Sequence, residues 1–142
     1  MVETSLVNEL KEKISSGATA AEADDVLKSF ELIKQITKEV DYLKEDVEES
    51  DYTCQVVFSD LKEDYWIKIG KGNIEYQKGK LDNPSFTITT SKDIGLGLFF
   101  GELDANIVSP LGKLGVVGNF TQLRFFQELY EDAIEEFKKK YN

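Results

Sequence analysis

Apolar positions recur with one period in the first third of the chain and with another in the middle, and this change separates helices from strands. Between Leu6 and Ile14 an apolar side chain returns every fourth residue, and Gly17 follows. A spacing of three or four places side chains on one face of an α-helix, and glycine commonly closes a helix. The pattern predicts a short amphipathic helix near the N-terminus.

A second, longer helix is predicted from the next apolar series. Thr19 and Glu22 have the spacing of a capping box, which marks a helix start. The apolar members that follow are Val26, Phe30, Ile33, Ile36, Val40, Leu43 and Val47. Their spacing predicts one helix of about seven turns with a single apolar stripe. The stripe has two interpretations: packing on the protein's own core, or coiled-coil pairing with a second copy to form a homodimer.

From Tyr52 onward the period falls to two, which is typical of strands with one buried face. The alternating residues are Cys54, Val56, Phe58, Tyr65, Ile67, Ile69, Ile74, Tyr76, Phe86 and Ile88. Trp66 falls out of phase with Ile67, so we expect it on the opposite face. Segments rich in Gly, Asp, Asn and Pro separate the runs and predict turns. The four short strands predict an antiparallel meander with one face buried.

The last third is predicted to begin with a glycine-containing helix. Ser91 is a plausible N-cap, Asp93 lies in the first turn, and the interior carries Gly95 and Gly97. Each glycine in a helix costs about 1 kcal/mol relative to alanine. The pair therefore indicates either a close approach by a neighbour or a space left open.

A short helix from Ala105 to Val108, a fifth strand from Lys113 to Val117 and a turn at Gly118 are predicted next. Asn119 and Gln122 form another capping box for the final helix. The residues of that helix that we expect to face inward are Leu123, Phe126, Leu129, Tyr130, Ala133, Ile134 and Phe137. Together these elements predict an α+β fold of two layers, a five-stranded, mainly antiparallel sheet with helices packed on one face.

Composition limits the chemistry available to the chain. It has no histidine and one cysteine, Cys54, so it offers neither a histidine-based triad nor a set of zinc ligands. A formal net charge of -10 at pH 7 opposes binding to the phosphates of nucleic acids. Neighbouring carboxylates such as Asp24 and Asp25 lie on predicted solvent-facing helix surfaces rather than across a cleft. We therefore expect no enzyme activity, no cofactor, no metal and no nucleic-acid partner.

The sequence shows no pattern of a signal peptide or of an integral membrane segment. The first residues, MVETSLVNELKEK, are charged and amphipathic. The longest apolar stretch, from Ile94 to Phe100, is far too short to cross a bilayer. A single cysteine cannot form an internal disulfide, so the sequence does not require an oxidising compartment. These features predict a cytoplasmic protein.

Two stretches rich in glycine fail the spacing rules of phosphate-binding loops. The pair Gly112-Lys113 would need a glycine five positions earlier and a hydroxyl residue after it, but Ile107 and Leu114 stand there. In SKDIGLGLFFGELD, a dinucleotide fingerprint would require glycine where Phe100 stands. No nucleotide site is predicted.

Aromatic rings and glycines accumulate together in the second half of the chain. The rings are Phe86, Phe99, Phe100, Phe120, Phe125, Phe126 and Phe137, and the glycines are Gly95, Gly97, Gly101, Gly112, Gly115 and Gly118. Rigid rings beside missing side chains are hard to pack without gaps, and an apolar gap costs stability unless a guest fills it. The same residues can also form an ordinary core, and composition leaves both interpretations open.

The order SFTITTSKDIGLGLFFGELDANIVSPLGKLGVVGN is similar to that of the sterol carrier protein-2 (SCP2) domain family. The matching positions are Pro84, Thr87, Ile88, Ser91, Asp93, Gly101, Leu103, Gly112, Lys113, Leu114, Val116, Gly118 and Asn119. The resemblance extends from about Phe30 to Phe137. Ser85 replaces the family's usual Asp, and Gly115 and Val117 replace residues that are often polar or basic. These departures concern the mouth of the expected tunnel.

The resemblance implies noncatalytic binding or carrying of a fatty acid, acyl-CoA, phospholipid or sterol in a hydrophobic tunnel between sheet and helices. It implies an N-terminal helical extension over residues 1–18 and a lipid-binding domain over residues 19–142. The apolar residues assigned to the tunnel are Ile67, Ile88, Phe99, Phe100, Ile107, Leu114, Val116, Phe120, Leu123, Phe126 and Leu129. The alternative is a protein-interaction or dimerisation module that uses the long acidic helix and has a closed or vestigial slot.

Overall fold

The computed structural model describes residues 4–8, 23–100 and 114–141. Residues 4–8 are helical. The other helices are α1 (Asp25–Glu39), α2 (Asp41–Glu49), α3 (Lys92–Phe99) and α4 (Phe120–Tyr141). The strands are β1 (Asp51–Phe58), β2 (Glu63–Gly70), β3 (Asn73–Lys78), β4 (Phe86–Thr90) and β5 (Leu114–Gly118). The predicted helix end at Gly17, the capping box at Thr19 and the short helix from Ala105 to Val108 lie outside the described residues.

The strands form one sheet in the order β3-β2-β1-β4-β5. Three neighbouring pairs, β1 with β2, β2 with β3 and β4 with β5, are antiparallel, whereas β1 and β4 run parallel. The predicted α+β class with a mainly antiparallel five-stranded sheet is confirmed. The predicted antiparallel meander is right for β1 to β3 and wrong for β4.

The segment between β3 and β4 explains the parallel pair. It passes over the outer face of the sheet, where Gln55 Nε2 donates to the Gly79 carbonyl at 2.9 Å and Gln55 Oε1 accepts from the Leu81 amide at 2.8 Å. The Thr53 and Ser85 amides each donate to the other residue's hydroxyl oxygen at 2.9 Å. These contacts return the chain to the start of β1, so β4 runs in the same direction. Hydrophobic periodicity identifies a strand but not its direction.

One face of the sheet carries nearly all the buried strand residues, and the helices cover it. The buried residues on this inner face are Tyr52, Cys54, Val56, Phe58, Tyr65, Ile67, Ile69, Ile74, Phe86, Ile88 and Thr90. Trp66 lies on the other face, between Gln55 and Gln77 on the neighbouring strands, as expected. The alternation in the sequence therefore placed the core face correctly.

The long helix predicted from the apolar stripe is wrong, because the chain breaks into α1 and α2. Val40 is extended, with φ -112° and ψ 114°, and its carbonyl accepts from the Lys44 amide at 2.9 Å as α2 begins. The apolar spacing continues across the break because both helices cover the same sheet. Phe30 and Ile33 on α1 are fully buried, and so is Leu43 on α2. The stripe packs on the protein's own core, so it is not exposed for a coiled coil.

A polar cluster fixes the start of α1 to the sheet. The Tyr65 hydroxyl lies 2.6 Å from Asp24 Oδ1 and 2.9 Å from Glu63 Oε2, and Lys78 Nζ lies 3.3 Å from Asp24 Oδ1. The hydrogen bond from Tyr65, with a smaller contribution from Lys78, lowers the pKa of Asp24. A carboxylate whose pKa is lowered by folding stabilises the fold above its unfolded pKa and loses this effect as the pH falls.

Replacing Tyr65 by phenylalanine is expected to reduce the free energy of unfolding by about 1 kcal/mol at pH 7, since it removes a hydrogen bond to a largely exposed carboxylate. The difference from the wild type should shrink as the pH falls through the acid range, where Asp24 becomes protonated. Urea unfolding at several pH values measures it. Asp24→Asn is the control, because it should remove the same pH dependence. A difference that is constant with pH would contradict this account.

Candidate functional site

The predicted tunnel residues lie on both layers of the fold. Ile67, Ile88, Leu114 and Val116 lie on the inner face of the sheet, Phe99 and Phe100 lie at the end of α3, and Phe120, Leu123, Phe126 and Leu129 lie on α4. Ile107 lies outside the described residues. Ile67 lies on the same face as Val116, but β1 and β4 separate its strand from β5, so the two residues are far apart across the sheet. The remaining described members concentrate around β4, β5, α3 and α4.

Burial on the inner face decreases from the middle of the sheet toward β5. Val56 on β1 pairs with Ile88 on β4, which pairs with Val116 on β5. Val56 is 0% exposed and Ile88 is 7% exposed, whereas Val116 is only half-buried. Leu114, on the same face of β5, is also half-buried. Among the described residues, the apolar interior therefore extends to β5, where its side chains are less completely covered.

Further from β5, aromatic side chains fill the space between the two layers. The Phe126 ring centroid lies 5.7 Å from that of Phe86, 6.5 Å from that of Phe99 and 5.5 Å from that of Tyr130. Phe99 also meets Phe30 edge to face at 5.5 Å. Tilted and edge-to-face contacts at these distances are favourable. These rings form a packed core, which is the second of the two interpretations that composition left open.

The two glycines of α3 also indicate a packed core. A Cβ on Gly95 would lie 2.5 Å from Cε1 of Phe58, so the glycine admits the ring of a strand residue. Gly95 and Gly97 are both buried within α3. Of the two explanations offered for this glycine pair, close approach applies at Gly95. The predicted N-cap of this helix is confirmed, because the Ser91 hydroxyl accepts from the Ile94 amide at 3.3 Å.

The turn at Gly118 fixes the start of α4 beside the start of β4. Gly118 has φ 122°, and the Asn119 amide donates to the Ser85 carbonyl at 2.9 Å. Asn119 Oδ1 then accepts from the Gln122 amide at 3.0 Å, as its predicted capping role requires. Leu123, one turn into α4, is half-buried and packs against the core. Phe120 is 64% exposed, so this member of the predicted set lies largely in solvent.

Two buried hydroxyls connect the helices above the site. The Ser29 hydroxyl donates to the Phe99 carbonyl at 2.8 Å and also forms a short hydrogen bond with the Tyr130 hydroxyl. Burial raises the pKa of Tyr130, so its hydroxyl remains protonated. Sequence reasoning missed this link, although Ser29 is a polar residue on the apolar stripe of α1, next to Phe30. A polar residue at a core position is itself a signal of a buried partner.

Tyr52 carries a buried hydroxyl that finds no hydrogen-bond partner among the residues the structure describes. The side chain packs against Phe86 and Phe126, with ring centroids at 6.0 and 6.2 Å. Burial raises the pKa of Tyr52, and the nearby Ser50 hydroxyl opposes this shift without reaching hydrogen-bond geometry. The Ser50 hydroxyl instead donates to the Asp46 carbonyl at 2.6 Å. A tyrosine hydroxyl left unpaired in this way lowers stability.

The polar features of the described surface do not coincide with the apolar region at β5. A pocket of about 140 Å³ is lined by Asp51, Lys68, Gly70, Lys71, Asn73 and Glu75. These residues lie on or next to β1, β2 and β3, away from β5, and offer little apolar surface. Across residues 4–8, 23–100 and 114–141, no group of carboxylates and cysteine is arranged so that it could bind a metal ion. In the same residues, no helix combines the length and apolar character needed to span a bilayer.

Solved structures with the same arrangement of strands and helices come from several sources. A ubiquinone synthesis protein, UbiJ-SCP2, has a TM-score of 0.62 at 13% identity, over 76% of this chain and 94% of its own. Sterol carrier protein 2 from Yarrowia lipolytica has a TM-score of 0.54 at 18% identity, over 73% of this chain and 88% of its own. The chain has the SCP2 fold. The SCP2 resemblance proposed from residues 84 to 119 is thereby confirmed at the level of fold.

Two further comparisons define the range of proteins that share the SCP2 fold. Palmitated SCP2L2 from Aedes aegypti has a TM-score of 0.54 at 17% identity, over 75% of this chain and 92% of its own. The sec-alkylsulfatase Pisa1 from Pseudomonas has a TM-score of 0.54 at 14% identity, but this chain spans only 30% of that enzyme. No family model matches the chain, and no curated protein sequence matches it. At identities this low, the structural similarity establishes a common fold alone.

Proposed function

We propose that the protein binds a lipid with a long hydrocarbon chain, without transforming it, at the open side of the apolar interior beneath α4. The observation that carries this proposal is the half-burial of Val116 and Leu114 on the inner face of β5, next to the buried Ile88. These side chains offer an alkyl chain a surface continuous with the core. The SCP2 fold supports the proposal, since one structure of that fold is described as palmitated.

The energetics of apolar burial favour such a ligand. Each methylene transferred from water is worth about 0.8 kcal/mol, so a tail of about fifteen methylenes offers on the order of 12 kcal/mol. Ordering the ligand consumes about 4 kcal/mol or more of this sum. Micromolar affinity follows without a specific polar contact. Selectivity among tails of similar length should be weak, because apolar burial is not directional.

The surroundings of the site support binding rather than catalysis. The side chains of Phe99, Phe126 and Leu123 are apolar, and burial raises the pKa of the Tyr130 hydroxyl beside Phe99. General acid-base catalysis needs groups that exchange protons near neutral pH. The extension over residues 1–18 and a cytoplasmic location are parts of the same proposal. Of the tunnel residues predicted from the sequence, the proposal keeps those around β4, β5, α3 and α4, whereas Ile67 lies two strands from β5 and Phe120 lies largely in solvent. Leu6 and Val7 are buried, so part of the proposed extension contributes to the core.

Two neighbouring valines on β5 test the proposal, because Val116 faces the helices while Val117 faces outward and is 75% exposed. Val116→Trp should fill the open side and weaken binding of a fluorescent fatty acid by at least about tenfold, which corresponds to 1.4 kcal/mol. Val117→Trp adds the same side chain to the outer face and should leave the affinity unchanged. Circular dichroism and thermal unfolding establish that both variants are folded.

Two results would contradict the proposal. One is an absence of displaceable fatty-acid binding by the wild-type protein at micromolar concentrations. The other is an equal effect of the two tryptophans. Native mass spectrometry of protein purified without detergent provides an independent measurement, because a lipid that copurifies appears as a defined added mass.

A further inference from the structure

A continuous series of aromatic contacts runs through the interior from the strand next to β5 to the far edge of the sheet. On the β5 side, the ring of Phe86 on β4 contacts that of Phe126 on α4, with centroids 5.7 Å apart. Phe126 contacts Phe99 on α3 at 6.5 Å, and Phe99 contacts Phe30 on α1 at 5.5 Å. Phe30 in turn contacts Tyr76 on β3 at 6.2 Å. We call these five residues the ring series.

The ring series fills the space between the two layers. Its members come from both the sheet and the helices, and its four phenylalanines are all buried. Carbon atoms in contact lie about 3.5 to 4 Å apart, so rings with centroids at these distances leave no passage for a hydrocarbon chain between them. Phe86 and Phe126 are the members nearest β5, because β4 is the strand that pairs with it. Among the described residues, these two rings therefore mark where the filled part of the interior begins.

Buried hydrogen bonds hold two members of the ring series in place. The Ser29 hydroxyl donates its single hydrogen to the Phe99 carbonyl at 2.8 Å, so the Tyr130 hydroxyl must be the donor in its hydrogen bond with Ser29. The Tyr130 ring packs against Phe99 at 5.2 Å and against Phe126 at 5.5 Å. Moving these rings aside would break a buried hydrogen bond as well as ring contacts, which is costly. The ring series is therefore braced against displacement by a guest.

We propose that Phe126 and Phe86 form the inner end of the lipid site, so that they limit the length of hydrocarbon chain that the protein can bury. This inference rests on the proposed lipid site beneath α4. A chain that enters from β5 lies against the half-buried Val116 and the buried Ile88, and it ends at the two rings. A longer chain leaves its remaining methylenes in contact with water. Chain length, rather than headgroup chemistry, is then the property that the site discriminates.

A series of saturated fatty acids from octanoate to stearate tests the proposal, by displacement of a fluorescent fatty acid at concentrations too low for micelles. Each methylene that is buried should raise the affinity about fourfold. For the wild type we expect this increase up to one chain length and almost none beyond it. Phe126→Leu should move that length upward by about three methylenes, because leucine has three carbon atoms fewer than phenylalanine and the chain can fill the space.

Two matched variants separate a change at the end of the site from a general loss of stability. Phe30→Leu removes the same atoms from a fully buried ring of the series, but Phe99 stands between that ring and Phe126. It should lower the melting temperature, as Phe126→Leu does, and leave the limiting chain length unchanged. Phe125→Leu changes an exposed ring on the outer face of the same helix and should alter neither property.

The outcomes distinguish this inference from the lipid site itself. If wild-type affinity rises by the same factor through the whole series, the ring series does not end the site and the inference is overturned, while lipid binding stands. The inference is also overturned if Phe126→Leu leaves the limit unchanged, or if Phe30→Leu shifts it equally. If no fatty acid of any length binds, the proposed lipid site is wrong and the inference is wrong with it. Should Phe126→Leu fail to fold, Phe86→Leu opens the same end from the sheet and must give the same shift.

Discussion

Phe126→Ala is expected to lower the free energy of unfolding by about 3 to 5 kcal/mol, the range measured when a large core ring is truncated. Phe126 is 3% exposed and its ring contacts those of Tyr52, Phe86, Phe99 and Tyr130. Removing it opens a cavity that rigid neighbours cannot close without leaving their favourable edge-to-face geometry. Urea unfolding at neutral pH measures the loss.

Phe125 provides a matched control, because it is the same residue type one position earlier on the same helix. It is 56% exposed, so Phe125→Ala should change stability by no more than about 0.5 kcal/mol. A small effect of Phe126→Ala, close to that of Phe125→Ala, would show that the ring borders open space rather than a packed core. The pair therefore separates the two interpretations of the aromatic residues.

Phe126→Ala also bears on the lipid site. Its cavity would adjoin the half-buried Leu123 on α4, on the side of the helix that faces the sheet. An alkyl chain bound beneath α4 could extend into that space and recover part of the lost burial. We expect a saturated fatty acid to raise the melting temperature of this variant more than that of the wild type. An equal increase in both would place the bound chain away from Phe126.

The strands and their buried faces were predictable because alternation depends on local chemistry. Cys54, Val56 and Phe58 point to one face whatever the strands beside them do. The direction of β4 was not predictable in this way. It depends on contacts between Gln55 and the segment after β3, which join residues far apart in sequence. The sequence contains these groups, but no spacing rule pairs them.

The break at Val40 was hidden by the regularity that predicted the helix. Apolar residues at a spacing of three or four continue from Phe30 to Val47 because α1 and α2 pack on the same sheet. Periodicity reports which surface is buried, and two helices that share a core can keep one period. No proline or glycine marks the break, so its position follows from tertiary packing.

The candidate site was predictable in part, for a similar reason. Burial of Phe99, Phe126 and Leu129 follows from their helical spacing, and their faces were assigned correctly. Whether such residues enclose a space or fill one depends on how rings from different elements meet. The fit of the Phe58 ring against Gly95 is an example, since a strand residue occupies the space that the glycine leaves. The sequence contains both residues of that contact, but it does not show that they lie next to each other in the fold.

Gly118→Ala is expected to destabilise the protein by about 2 to 4 kcal/mol, because two costs combine. Gly118 has φ 122°, a conformation that side chains rarely adopt. An added Cβ would also lie 2.6 Å from the Phe86 Cα and 2.6 Å from the Ser85 carbonyl oxygen. Backbone atoms within a sheet cannot move aside as the end of a flexible side chain can. The strand or the turn must therefore shift.

Gly115→Ala is the matched control on the same strand. Its added Cβ would meet the Thr89 carbonyl oxygen at 3.5 Å, an ordinary contact, so we expect a change within about 0.5 kcal/mol. Because the Asn119 amide is bonded to the Ser85 carbonyl, a shift at Gly118 should also displace the start of α4. Fatty-acid affinity should then fall together with stability, whereas Gly115→Ala should preserve both. Equal stability of the two variants would show that the turn at Gly118 tolerates a side chain and does not determine the position of α4.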